Sequence, residues 1–238
     1  MTIHNSRTLM FTELSKVMDH AIEDNTYLDS LDENITNKLT RTNQLKTNSY
    51  LRHLYGFDIK FPPFVCFRHF WQQAEGSEKR IITLLFAIGQ DFLLSESIPV
   101  VIKSSIGEKV TVKEFEDNVG RNHPKRYSEK TRKSIAQNLA SSWKQAGYIA
   151  GKVKNIRTKT TPGFHSVAFA LLMSYLNGER GEFMLRSKWI QALDLSEPNI
   201  RELAFEASKR DLLQYQYSGN VTTFSFSNLF SILNINSI

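Results

Sequence analysis

A chain of 238 residues that is 41% hydrophobic and 11% aromatic, with 16 Phe, is too apolar to stay disordered and long enough for one large or two small domains. Its single cysteine, Cys66, excludes an internal disulfide, and its longest apolar runs, such as Val167 to Leu176, are about half of the roughly 20 residues that span a bilayer. With no signal-peptide-like run near the N-terminus, and a net charge of +6, these features predict a cytoplasmic protein with an anionic partner and no membrane helix.

The segment TLMFTELSKVMDHAIE spaces Leu14, Val17, Met18, Ala21 and Ile22 at three and four residues, which predicts a packing helix. A second helix is expected from about Thr42 to Gly56, and Pro62 and Pro63 are expected to break structure after it. Two more helices follow, FVCFRHFWQQA and a single one over SEKRIITLLFAIGQDFLL, the latter apolar enough around Ile81 to Leu94 to sit at a domain centre.

Thr111 and Glu114 have capping-box spacing and open a short helix that Gly120, Asn122 and Pro124 are expected to end. Ser128 caps the next helix, and Gly147 stands where a helix C-terminus favours glycine. Thr161 and Pro162 suit the cap and first turn of an apolar helix ending at Gly178. SKWIQALDL is a short helix, Ser196 begins another, and a Gly219-Asn220 turn between strand-like runs predicts a hairpin.

A shift of 64 residues aligns Leu139-Ala140 with Leu203-Ala204, Trp143 with Ala207, and Tyr148-Ile149 with Leu212-Leu213. Both copies read as helix, tight stop, two apolar residues and a two-stranded ribbon. The expected fold is therefore mainly α, with two helical units resembling winged helix-turn-helix, each ending in a small β-hairpin. The expected domains are 1–120 and 121–238, with the boundary at 118–127.

From Arg121 to Lys159 there are eleven Lys or Arg against one acid, Glu129, a net of +10; the rest of the chain has nineteen bases and twenty-three acids, a net of −4. At about 100° per residue, Ile135, Leu139, Trp143 and Ala146 share one side of the helix, and Lys130, Lys133, Gln137, Ser141 and Lys144 gather on the other. The lysines suit phosphate, while Gln137 and Ser141 suit sugar or base edges. Lys152, Lys154, Arg157 and Lys159 on the ribbon complete the candidate DNA-binding set. If about six of these cations neutralise phosphates, the log–log salt slope of binding is about −5, and sequence specificity is weak. The same face also suits an acidic protein subunit, which would make the chain a scaffold, or RNA; the aromatics, however, follow packing periodicity rather than base stacking.

The stretches RTLMFTEL and LDENITNKLTRTNQLKTNSYLRHLYGF, with YSEKTRKSIAQNLASSWKQAGYI far downstream, resemble the BrxA-like proteins of bacterial BREX phage-exclusion systems. The resemblance lies in Thr8, Leu9 and Glu13, in Glu33-Asn34 and the Thr-rich lead into a helix, and in the helix from Thr131-Arg132 to Ala146-Gly147. It covers roughly residues 8–55 and 127–150, and the Phe-rich FPPFVCFRHFWQQ departs from it. What it implies is a non-enzymatic, mainly helical DNA-binding protein with winged-helix-like parts, serving antiviral defence through the region Lys130 to Lys144.

No enzyme signature accompanies this pattern. Cys66 and His69 have metal-like spacing, but a zinc site needs three or four ligands and no second pair follows. Asp91, Glu108 and Lys109 only faintly suggest nuclease carboxylates, and NGERGEF lacks the spacing and Lys of a phosphate loop. The expectation is no catalytic site, no metal, no cofactor and no small-molecule substrate.

Overall fold

Apolar side chains at helical spacing fold the N-terminal half into helices α1 (Phe11–Ala21), α2 (Tyr27–Asp32), α3 (Arg41–Tyr55), α4 (Pro62–Gln73) and α5 (Gly76–Gln90) in the computed structural model, which describes residues 2–219 and 221–235. Thr40 caps α3 by accepting from Asn43 N at 3.3 Å. Pro62 and Pro63 begin α4 rather than interrupting the chain. A proline in the first turn lacks only an N–H that has no helical partner there, and its fixed φ suits the helix. The Phe-rich stretch thus becomes an aromatic centre in which Phe67 lies 4.7 Å from Phe86 and 6.1 Å from Phe169 between ring centroids. Cys66 is buried within α4, and burial pushes its thiol pKa up to about 12.

The single helix expected over residues 77–94 is two. Asp91 ends α5 and caps α6 (Phe92–Glu96), its carboxylate accepting from Leu93 N at 3.0 Å and Leu94 N at 3.2 Å. Another short helix, α7 (Ile98–Ile102), follows. The same Asp91 carboxylate accepts from Ile3 N and the Thr2 hydroxyl, so a residue far along the chain fastens the N-terminal arm.

The C-terminal half contains α8 (Val112–Asn122), α9 (Glu129–Gln145), strands β1 (Ile149–Ala150) and β2 (Ile156–Arg157), α10 (Phe164–Leu176), a 3₁₀ turn (Gly181–Arg186), α11 (Lys188–Ala192), α12 (Glu197–Ser208), strands β3 (Gln214–Ser218) and β4 (Val221–Ser225), and α13 (Ser227–Ile232). The fold is mainly helical with two separate two-stranded antiparallel sheets. Thr111 and Glu114 form the capping box, and α8 runs past Gly120 to Asn122. Helices α8 and α9, on either side of residues 123–128, pack against each other, and the buried apolar residues form one continuous cluster from Ile3 to Leu229. The central helices are α5, buried from Ile81 to Ile88, and α10, buried from Ser166 to Ser174. No single helix among the described residues is long and apolar enough to cross a membrane.

Helix α10 starts at Phe164, two residues later than Thr161 and Pro162 suggest. Its cap comes from α5: the Glu78 carboxylate accepts from Gly163 N at 3.0 Å, Ser166 N at 3.1 Å and the Ser166 hydroxyl. Burial acts to raise the Glu78 pKa, and hydrogen bonds from His165 and Ser166 outweigh it to bring the pKa below its ordinary value.

The sequence echo at a spacing of 64 has a geometric counterpart. At the end of α9, Tyr148 N donates to Trp143 O and Gly147 N to Lys144 O, both at 3.0 Å. At the end of α12, Leu212 N donates to Ala207 O at 3.2 Å and Asp211 N to Ser208 O at 3.3 Å. Gly147 and Asp211 hold the same left-handed position, at φ 91° and 58°. Each turn then delivers the chain into a hairpin. Asn220, in the expected Gly-Asn turn, lies outside the described residues.

Candidate nucleic-acid interface

Helix α9 is built to show one face. Ser128 caps it, accepting from Thr131 N at 3.2 Å, and Ile135, Leu139, Trp143 and Ala146 are all buried. Opposite them Lys130, Lys133 and Gln137 are exposed, while Ser141 and Lys144 are half-buried at the helix end. With a rise of 1.5 Å per residue, Lys130 and Lys144 stand about 21 Å apart along the axis. Lys144 Nζ donates to Gly151 O at 2.8 Å, which ties the helix to the ribbon beyond it.

In that ribbon β1 pairs antiparallel with β2, and Ile156 of β2 also bridges to Lys109 just ahead of α8. The spatial order is therefore Lys109, β2, β1. Gly151 turns the chain at φ 100°, where a Cβ would meet Lys154 O at 2.1 Å, so no other residue fits without moving the loop. The tip projects Lys152, Val153 and Lys154 into solvent, and Lys159 is exposed after β2.

Arg157 does not belong to this surface. Its side chain is fully buried, donating from Nε to Val101 O at 3.0 Å and from the guanidinium to Tyr148 O, Thr158 O and the Asp194 carboxylate. Strand alternation turns Arg157 inward, and four acceptors hold it there. Burial acts to lower its pKa against the opposing effect of Asp194. It is a bracket between the ribbon, α7 and the α11–α12 connection.

The remaining cations meet no acid. Of the eleven Lys and Arg between Arg121 and Lys159, only Arg157 has a carboxylate partner within 4.0 Å among the described residues. Arg126 lies over the rings of Phe92 and Tyr127 at 5.0 and 5.4 Å from their centroids, and Arg132 donates to Tyr127 O at 3.4 Å; neither meets an acid. The site expected from the sequence omits Lys109, Arg121 and Lys125, which are exposed beside the ribbon strand, in the last turn of α8 and in the turn leading to α9. Residue spacing carries no signal for Lys109, because its place next to β2 arises from a contact 47 positions along the chain.

Beneath α9 lies a polar cluster that the sequence did not announce. His4 Nδ1 is 2.8 Å from Asp91 Oδ2, and its Nε2 is 2.9 Å from Ser142 Oγ. The order resembles a Ser-His-Asp triad, but all three residues are buried. The Ser142 hydroxyl already accepts from Leu9 N at 2.8 Å and donates to Asn138 O at 2.9 Å, so its hydrogen is committed within the helix. The arrangement therefore clamps the N-terminal arm under α9, helped by Asn138 donating to His4 O and by Gln145 Oε1 accepting from Phe11 N. Burial acts to raise the Asp91 pKa; the hydrogen bond and charge of His4, with Thr2 and Ile3 N–H, override it and hold the carboxyl well below the usual range. Asp91, Glu108 and Lys109 are not gathered into a metal site: no cluster of three or more His, Cys, Asp or Glu with metal-binding geometry occurs among the described residues. Glu108 instead accepts from Ser105 N.

No protein-family model matches the chain, and no curated protein or solved structure matches it either.

Proposed function

We propose that this chain is a double-stranded DNA-binding accessory protein of a bacterial phage-defence system of the BREX type, as its resemblance to the BrxA-like family implies, acting without catalysis. The observation that carries the DNA reading is the set of ten cations between Arg121 and Lys159 without carboxylate partners among the described residues, spread over the end of α8, the turn after it, α9, the ribbon tip and the segment after β2. An unpaired Lys or Arg keeps its full attraction for phosphate, and each one placed on DNA releases a condensed counterion. In this reading α8, α9 and the ribbon, with Lys109, β2 and β1 in that order, act as a winged helix-turn-helix in which α9 enters the major groove and residues 151–154 are the wing. Lys130, Lys133, Lys144, Lys152, Lys154 and Lys159 take phosphates, and Gln137 and Ser141 reach sugar or base edges. With only two such readers, sequence preference is weak.

Fluorescence polarisation of a labelled duplex at several salt concentrations tests this. The expected log–log slope is about −5, and a Lys130→Glu, Lys133→Glu, Lys154→Glu variant with native circular dichroism loses binding. Lys144 is left alone because it braces Gly151. Unchanged affinity in the folded variant overturns the reading. Tighter binding to duplex or single-stranded RNA of the same sequence reassigns the face to RNA, and no nucleic-acid binding reassigns it to an acidic protein.

A further inference from the structure

Among the described residues, the β3–β4 hairpin has an edge that no strand covers. On one side of β4 lies β3, and on the other lies the 3₁₀ turn, where Gly181 approaches Thr222 O so closely that a Cβ would sit 3.2 Å away. Strand β3 pairs only with β4 among the described residues, and Gln216, Tyr217 and Ser218 are exposed. The register pairs Ser218 with Val221 across a two-residue loop. In that register Gln214, Gln216 and Ser218 exchange hydrogen bonds with β4, and Tyr215 and Tyr217 turn their backbone N–H and C=O groups outward.

Monomeric proteins guard such an edge with lysine, proline, a bulge or a covering element. This edge has none of the first two. Charged residues make up 23% of the chain, yet none occurs from Leu212 to Ile238. A two-fold contact sets a patch against a copy of itself, so like charges near the axis oppose it and a strand without charged residues favours it. The charge nearest β3 is Arg201, which lies over the Tyr217 ring at 4.7 Å and donates to the Tyr215 hydroxyl, and Glu182 and Glu197 already hold it, so a charged partner finds no unmatched charge there.

We propose that two copies of this chain join along β3, antiparallel about a two-fold axis at Gln216, to form a four-stranded sheet. In this arrangement Tyr215 exchanges backbone hydrogen bonds with Tyr217 of the partner subunit, and the reverse, giving four new bonds from groups that otherwise face water. Gln216 meets Gln216 of the partner subunit as a non-hydrogen-bonded pair with Cα atoms about 4.5 Å apart. A primary amide carries both donors and an acceptor, so it pairs with its own copy. The exposed ring of Tyr217 comes beside Tyr215 of the partner subunit and extends the stack in which Tyr215 lies 5.0 Å from Phe224. Pairing along β3 does not depend on what α9 binds.

Light scattering on the full chain across a wide concentration series tests this, without nucleic acid present. The mass rises from one chain toward two as concentration increases. Gln216→Lys and Gln216→Glu, each confirmed folded by circular dichroism, are single chains at concentrations where the unaltered protein is paired, because each sets like charges face to face. An equimolar mixture of the two variants pairs again. A mass of one chain at every concentration overturns the inference. A pair that persists in both separate variants, or a mixture that stays unpaired, overturns it equally, since the contact then lies elsewhere or in another register.

Discussion

Helices α9 and α12 carry the same frame and opposite surfaces. Each ends in a left-handed residue with the same two backbone hydrogen bonds, 64 positions apart, and each feeds a hairpin. At α12 the arginines are held by acids: Arg201 pairs with Glu197 and with Glu182 from the 3₁₀ turn, and Arg210 pairs with Glu206. The outward lysines of α9 have no such partners. A count of bases does not separate the two helices as sharply as their pairing does, because a Lys or Arg held by a carboxylate within 3 Å has little attraction left to offer a phosphate. The comparison teaches that a solvated face and a binding face differ in how their charges are matched.

The largest expected effect comes from what lies under α9 and has no counterpart under α12, where the residue equivalent to Ser142 is Glu206. Asp91→Ala removes the acceptor of the His4 ring, Thr2 and Ile3, strands a buried histidine, and lowers stability by about 4 kcal/mol in urea unfolding. The pH dependence has a definite sign. Asp91 has a folded pKa below its ordinary 3.8, so the stability it supplies is complete above about pH 4 and falls away as the solution is acidified further. The difference between Asp91→Asn and the unaltered protein should therefore shrink below pH 4.

Two buried or half-buried arginines sharpen the comparison next. Arg157→Ala strands the carbonyls of Val101 and Tyr148 in the interior and should cost about 3 kcal/mol, whereas Arg201→Ala, on a partly exposed ion-pair network, should cost about 1 kcal/mol. Equal losses in thermal or chemical unfolding break the distinction between an internal bracket and a surface ladder. In binding, the α9 reversal Lys130→Glu with Lys133→Glu and Lys154→Glu should weaken a duplex about a hundredfold, and the α12 reversal Lys209→Glu with Arg210→Glu should change affinity by no more than about twofold. Similar losses from both would make the effect one of overall charge. The smallest contrast concerns the two ribbon turns. Gly151→Ala forces the tip apart and should lose about 2 kcal/mol with a severalfold drop in duplex affinity; Gly219→Ala, also at positive φ but with open space around it, should lose about 1 kcal/mol and leave affinity unchanged.

Much of this was legible in residue order. The Thr111–Glu114 box, the Ser128 cap, the stop at Gly147 and the buried line Ile135, Leu139, Trp143 and Ala146 all follow from interactions within about one helical turn to four. The free face of α9 was legible for the same reason: fixing its buried side fixes the opposite one. Arg157 was not. Its charge matched its neighbours in the ribbon, and only the closure of α7 and the α11–α12 connection around it gave an arginine four acceptors and a reason to turn inward.

The amino-acid order alone determined most of the helix content, the caps of α8 and α9, the repeated turn and the concentration of positive charge, because each depends on residues a few positions apart. Tertiary structure decided which of those charges stay free, where α5 ends, and how α10 is capped. Those outcomes rest on His4 meeting Asp91, Glu78 meeting Gly163 and Arg157 meeting Asp194, partners 37 to 87 positions apart. A hydrogen bond or ion pair of that kind has no local signature, since it exists only after the core has brought distant segments within 3 Å of each other.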